Sequence, residues 1–517
     1  MADFLPRVPV DISSLIFFYA CQPTPDPFLS LGSNPRWERQ FHPLWLGQVC
    51  RSWRDLAWET SELWQTVVIK VRESPTHIEA QTDLLREWLC RAKGRPLDIY
   101  LEENENEWFS DAIDPMDLLL TLLVRHSQQW RTVDFHLLRK RYLFISCLGI
   151  RHVSRMPHPR QVGGSSNTRN DSQMSEERSI PLNLLQTASL HGVGNNEALR
   201  SDLPLNLARA SSLRELTFSS ILMRSDMLVC LPTKRITSLK LSLVLRIVPR
   251  ELLAQLPQLT ELTLSKCSVV RKLEPNAGSR PIIHENLRVL HIEVESEFLL
   301  NMIVHQLSFP ALKTLYVCVP ESFRHTNFLL AFIKRSACAL SSLTTESMCS
   351  TADYDLIEFL SSDILSSSLK ELHILDYDTV SLTKNRKKII RRNKVQGACS
   401  GLDHTFFENF HPYLFPHFLP HLETLEYRGI LSAYAIDFLE PFILRSRMRD
   451  SEPGCMMDDI AAQGTAILRK VRIQADKALG KSFSIAEYPD PQYVWEVISM
   501  IEVGVLTLLD ADGALWA

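Results

Sequence analysis

At 517 residues the chain is too long for one small core and has room for a small module followed by a large array. Its 45% apolar and 22% charged residues are those of an ordinary soluble protein, and a formal net charge of −4 argues against general attraction to nucleic acid or to a membrane surface. The 11 cysteines are scattered, odd in number and never spaced Cys-x-x-Cys, which favours a reducing, cytoplasmic or nuclear setting over a disulfide framework. Met1 to Arg7 lacks the basic start and apolar core of a secretory signal, and the apolar run Val497 to Leu509 carries Glu502 and is too short to span a bilayer.

The first element predicted in chain order is a helix after Val8-Pro9, with Ile12, Leu15, Ile16 and Tyr19 on one stripe and Pro9 at a position where a missing N–H costs nothing. Cys21 to His42 is rich in proline and reads as an extended inserted loop. A second helix follows, in which Leu46, Val49, Cys50, Trp53, Leu56 and Ala57 recur at three- and four-residue steps, with Gln48, Arg51, Arg54 and Asp55 opposite. A segment this short cannot bury two apolar stripes by itself, so it must lean on something else. The pair resembles an F-box, which begins Leu-Pro-x-Glu-Ile-Leu-x-x-Ile-Phe and ends in a Leu-x-x-Val-Cys-x-x-Trp-Arg helix and a Leu-Trp pair. Here Val8-Pro9-Val10-Asp11-Ile12 and Ile16-Phe17 stand at the start, and Leu46, Val49-Cys50, Trp53-Arg54 and Leu63-Trp64 supply the rest. The resemblance implies docking onto the Skp-type adaptor of a cullin-RING ubiquitin ligase through Val8, Pro9, Ile12, Ile16, Leu46, Val49, Cys50 and Trp53. The plainer alternative is an amphipathic hairpin packed on its own chain.

Beyond Leu63-Trp64 the pattern alternates. A strand is predicted at Val67 to Val71, then a helix opened by Ser74-Pro75 and stopped by Gly94, with Ile78, Leu85, Trp88, Leu89 and Ala92 on its inner face. Leu97, Ile99 and Leu101 alternate as a strand, Asp114-Pro115 opens the next helix, and Trp130 to Phe135 gives a further strand. Residues 151–180 break the rhythm with a polar stretch that cannot recover its ordering entropy, read as a disordered insertion. Gly192-Val193-Gly194 lacks a third glycine for a dinucleotide loop and is read as a turn.

From there one phrase recurs: apolar, two variable, apolar, one variable, apolar. Its copies begin at Leu213, Ile236, Leu259, Leu287, Leu312, Leu340, Leu369 and Leu422. Middle positions from Leu216 to Leu372 lie 23, 23, 28, 25, 28 and 29 residues apart, the leucine-rich-repeat period. The last two apolar positions of each copy face one side of a strand and the residue between them faces the other. That places Thr217, Lys240, Thr263, His291, Tyr316 and His373 on the outward side, as candidate target contacts. Leu372 and Leu425 are 53 residues apart, so an insertion or degenerate unit is expected there, including the basic run Lys384 to Lys394. That run has no interleaved aromatics, which argues against a nucleic-acid stacking surface. His404, His411, His417 and His421 have no zinc spacing and are broken by prolines, so no metal site is expected.

These features predict an α/β fold: a small helical F-box, then an irregular leucine-rich-repeat solenoid with a parallel sheet on the concave face and helices outside. The expected boundaries are 1–66 for the first module with its loop at 21–42, and 67–475 for the array with insertions at about 151–180 and 380–402. A C-terminal cap is expected at 476–517. The whole resembles F-box/LRR-type proteins common in fungi. The resemblance implies a non-enzymatic substrate-recognition subunit of an SCF-type E3 ligase, without cofactor or metal. Its implied partners are the Skp-type adaptor, cullin through it, and an unknown protein target. A non-ligase scaffold that tethers two partners is the alternative.

Overall fold

Alternation of apolar and polar residues at two-residue steps builds the body of this protein. A computed structural model describes residues 8–21, 42–71, 75–103, 115–138, 182–193, 207–220, 231–244, 247–268, 281–294, 297–319, 326–346, 353–375, 404–430, 436–447, 466–476 and 491–509, with Arg141, Tyr142, Ile145, Leu402 and Leu515. The expected insertion at 151–180, the basic run at 384–394 and almost all of the loop at 21–42 lie outside them. The fold is mixed α/β, with fourteen principal strands running parallel in chain order, and no barrel closes among the described residues. No described helix is long and apolar enough to cross a membrane.

The chain forms two compact units, 1–239 and 240–517. The first opens with α1 (Val10–Cys21), α2 (Pro43–Val49), α3 (Arg51–Glu59) and a single 3₁₀ turn, Ser61–Trp64. Strand β1 (Thr66–Lys70) follows, then α4 (Pro75–Arg91), β2 (Leu97–Glu102), α5 (Pro115–Arg125), β3 (Trp130–Leu138), β4 (Thr187–Val193) and β5 (Glu215–Ser219). β1 to β5 pair in order, each parallel to the next. Proline begins α2, α4 and α5, where its missing N–H has no helical acceptor to lose.

Strand β6 (Ser238–Ser242) ends the first unit and begins the second, which continues with α6 (Pro249–Gln255), β7 (Glu261–Ser265) and β8 (Ile282–Ile283). Then come β9 (Val289–Glu293), α7 (Glu297–Gln306), β10 (Leu307–Ser308), β11 (Thr314–Cys318), α8 (Thr326–Ser336) and β12 (Ser342–Glu346). Two helices, α9 (Asp353–Leu360) and α10 (Asp363–Ser366), precede β13 (Glu371–Leu375), and α11 (His404–Glu408) precedes β14 (Thr424–Ile430). The unit closes with α12 (Glu440–Arg447), β15 (Lys470–Asp476), α13 (Pro491–Glu502) and β16 (Leu506–Leu509).

The recurring phrase becomes strand wherever it was read. In β7, β9 and β11 the apolar pairs Leu262/Leu264, Leu290/Ile292 and Leu315/Val317 are each at most 2% exposed, while the residues between them are half-buried on the other face. The inner face packs on the helices and turns, as where Phe309 meets Phe332 edge-on at 5.7 Å and Phe407 meets Tyr427 at 5.8 Å. One backbone bond recurs before successive strands: Ser341 N–H donates to Lys313 O, Lys370 to Ser341, Glu423 to Lys370 and Arg469 to Glu423, at 2.8–2.9 Å. The equivalent bonds in the first unit are Gln186 to Arg131 and Arg214 to Gln186. Repetition of one bond at one place per step fixes the register that apolar alternation alone leaves open.

Two expectations change. The helix expected across Leu46 to Ala57 is two helices, because Cys50 is extended at φ −159° and ψ 173° and stands between α2 and α3. Gly192 lies inside β4, not in a turn. A Cβ there would stand 2.6 Å from the Ser220 carbonyl oxygen, so only glycine lets that backbone approach. Across the 53-residue interval β13 pairs directly with β14, and the insertion expected at about 380–402 lies, apart from Leu402, outside the described residues. The described part of the terminal segment supplies α13 and β16, with β16 parallel to β15.

Candidate docking surface

The amino-terminal helices are held to the sheet by tryptophans. Trp64 is fully buried, donates its indole N–H to Ala57 O at 2.9 Å and meets Trp88 of α4 edge-on at 4.6 Å. Trp88 in turn donates to Trp64 O at 2.9 Å. The Arg91 guanidinium lies over both Trp64, at 4.9 Å, and Trp58, at 4.8 Å. Arg54 Nε donates to Gly47 O at 2.8 Å, which holds α3 against α2 across the Cys50 break. Cys50 Sγ lies 3.1 Å from Ser52 Oγ at that junction. The ring of His42, whose pKa burial lowers, packs 4.7 Å from Trp88.

Helix α1 is seated by a narrow strip. Ser13 and Phe17, one helical turn apart, are each 2% exposed, and the Phe17 ring lies 4.9 Å from Trp53. Ser14 Oγ and Thr60 Oγ1 are 3.2 Å apart, and Thr60 also donates to Leu56 O at 2.8 Å. The apolar stripe of the same helix points the other way. Ile12, Leu15, Ile16 and Tyr19 are 49–68% exposed, and Val10 is 65% exposed. Trp45 and Val49 of α2 and Trp58 of α3 are exposed as well. A soluble chain seldom leaves so much large apolar surface uncovered unless something binds there. Such a face can do no covalent chemistry; it can only exchange water for another apolar surface.

The residues predicted for adaptor contact divide accordingly. Pro9, Ile12, Ile16 and Val49 are exposed and Val8 is half-buried. Leu46 is 6% exposed, and Trp53 and Cys50 are half-buried, so these three build the module from within. Leu15, Tyr19, Val10, Trp45 and Trp58 complete the exposed set. The first two were visible as stripe members, but the tryptophans fell on helices whose break at Cys50 shifts the apparent face.

The six predicted target contacts all lie mid-strand on the outward face. In the second unit Thr263, His291, Tyr316, Thr344, His373, Glu426, Arg472 and Thr507 stand in register on consecutive strands. His291 and Tyr316 stack at 3.7 Å, and burial, with Glu293 opposing and Lys240 assisting, lowers the His291 pKa to about 4. His373 Nδ1 lies 3.1 Å from Glu426 Oε2; that contact lowers the Glu426 pKa against the effect of burial, and Arg472 adds to the lowering. In the first unit Thr217 closes the row Val68, Tyr100, Asp134, Ser189. Of the histidines near residue 411, His411 uses Nδ1 to accept the Tyr413 and Leu414 N–H groups at 3.3 and 3.2 Å, a turn role.

No protein-family model matches the chain, and no curated protein does either.

Proposed function

We propose that this chain is the substrate-recognition subunit of an SCF-type cullin-RING ubiquitin ligase, built as an F-box followed by irregular leucine-rich repeats. The observation that carries the reading is the orientation of α1. It is seated on the chain through Ser13 and Phe17, and it presents Ile12, Leu15, Ile16 and Tyr19 to solvent. A helix stabilising only its own chain would turn that stripe inward. The Skp-type adaptor would cover the stripe together with Val49 and Trp45, and cullin would be reached through the adaptor.

The outward strand faces would hold a protein target. Tethering a target beside the ubiquitin-loading machinery raises effective concentration and requires no catalytic group in this chain. The test is affinity isolation of the full chain from cells, with and without proteasome inhibition. Recovery of adaptor and cullin, plus co-isolated proteins that accumulate when the chain is deleted, supports the proposal. Isolation free of both ligase components refutes it.

A further inference from the structure

On the outward face of the first unit, β3 and β4 bring together three ligand-type side chains that neither the repeat pattern nor adaptor docking requires. Asp134 and His136 are two residues apart on one strand and so share a face. His191 stands opposite His136 in the parallel register. The two imidazoles stack at 4.0 Å with planes 9° apart. Their Nε2 atoms lie 3.1 and 3.3 Å from Asp134 Oδ1, and the three ligand atoms fall within 4.8 Å of one another. Asp134 Oδ1 is buried between the two rings.

We propose that Asp134, His136 and His191 bind one divalent transition-metal ion of the zinc type. Zinc binds imidazole nitrogen and carboxylate oxygen at about 2.0–2.2 Å, and a tetrahedron of that size has ligand–ligand edges of about 3.3 Å. The two carboxylate–imidazole separations match those edges. Side chains that are 19–23% exposed leave a fourth position open to water or to a ligand from a bound protein. Two nitrogens and one oxygen, with no thiolate, suit zinc, nickel or copper and disfavour magnesium or calcium.

The scaffold around the three is stiff. The Tyr142 hydroxyl is buried and lies 2.6 and 2.9 Å from the carbonyl oxygens of Phe135 and His191, bridging the two strands. Gly192, next to His191, allows the close pass of Ser220 described above.

The test uses the full chain stripped with a chelator and titrated with cobalt, then zinc. The wild type should take up one cobalt with the intense visible absorption of a four-coordinate site, and zinc should displace it. In His191→Gln and Asp134→Asn, affinity should fall on the order of ten- to hundredfold. Their metal-free melting temperatures should stay near that of wild type, whereas His305→Gln, an exposed histidine elsewhere, should retain the band. Unchanged uptake in both ligand variants overturns the proposal. Zinc X-ray absorption of the wild type needs no variant: two imidazoles and oxygen support the site, and a sulfur-containing shell overturns it.

Discussion

Replacing Ile12, Ile16 and Val49 together by alanine separates docking from folding. These side chains are 49%, 56% and 58% exposed, so about half of each remains to be covered by a partner. Full burial of such a side chain contributes about 1.5–3 kcal/mol, so the uncovered half contributes about 1 kcal/mol each and about 3 kcal/mol for the three. At about 1.4 kcal/mol per tenfold, the triple variant should bind the Skp-type adaptor roughly a hundredfold more weakly. Its own unfolding free energy should change by only about 0.5 kcal/mol per site or less, because little packing is removed. Phe17→Ala is the contrasting control: the ring is 2% exposed and packed against Trp53, and its loss should cost about 3–5 kcal/mol of folding stability. Calorimetric titration with adaptor, paired with urea unfolding of the free chain, reads both quantities. Adaptor binding of the triple variant within about threefold of wild type, or a stability loss comparable to that of Phe17→Ala, would refute the reasoning.

Glu346 gives a pH prediction. Burial, reinforced by Glu293 and opposed by Lys266, raises its pKa from 4.5 to about 7. The folded state therefore holds a proton that the unfolded chain releases above 4.5. The contribution is fully favourable below that pH and is lost as pH rises through about 7. Glu346→Gln should leave stability unchanged near pH 4, and raise it by roughly 3 kcal/mol at pH 8; equal effects at both pH values, read by chemical unfolding, contradict this assignment. Gly192→Ala places a Cβ 2.6 Å from the Ser220 carbonyl oxygen, so it should destabilise the chain by about 1–3 kcal/mol. A neutral result in the same unfolding assay would mean that β4 and Ser220 part without cost.

The strands were legible because two physical signals coincide there, a two-residue alternation and a repeat length near that of one strand and its return. Leu216, Leu262 and Leu315 could be placed on the inner face from spacing alone. The break at Cys50 was not legible, because apolar periodicity runs unbroken through a residue that is extended rather than helical. The stripe on α1 was visible, but its direction was not. Amphipathicity says that Ile12 and Ile16 need a cover, and only packing through Ser13 and Phe17 shows that the described chain does not supply it. Asp134, His136 and His191 escaped for a different reason: His191 reaches them only through the pairing of β3 with β4, which no local pattern encodes. Gly192 was misread because a turn and a close backbone pass ask for the same residue.

The most direct measurement mixes the purified full chain with a Skp-type adaptor and follows association by sedimentation and by calorimetry at several temperatures. The proposal predicts a one-to-one complex with a negative heat-capacity change, the mark of apolar surface leaving water. Separate sedimentation with no heat of binding, from a chain whose α1 is folded, would contradict it.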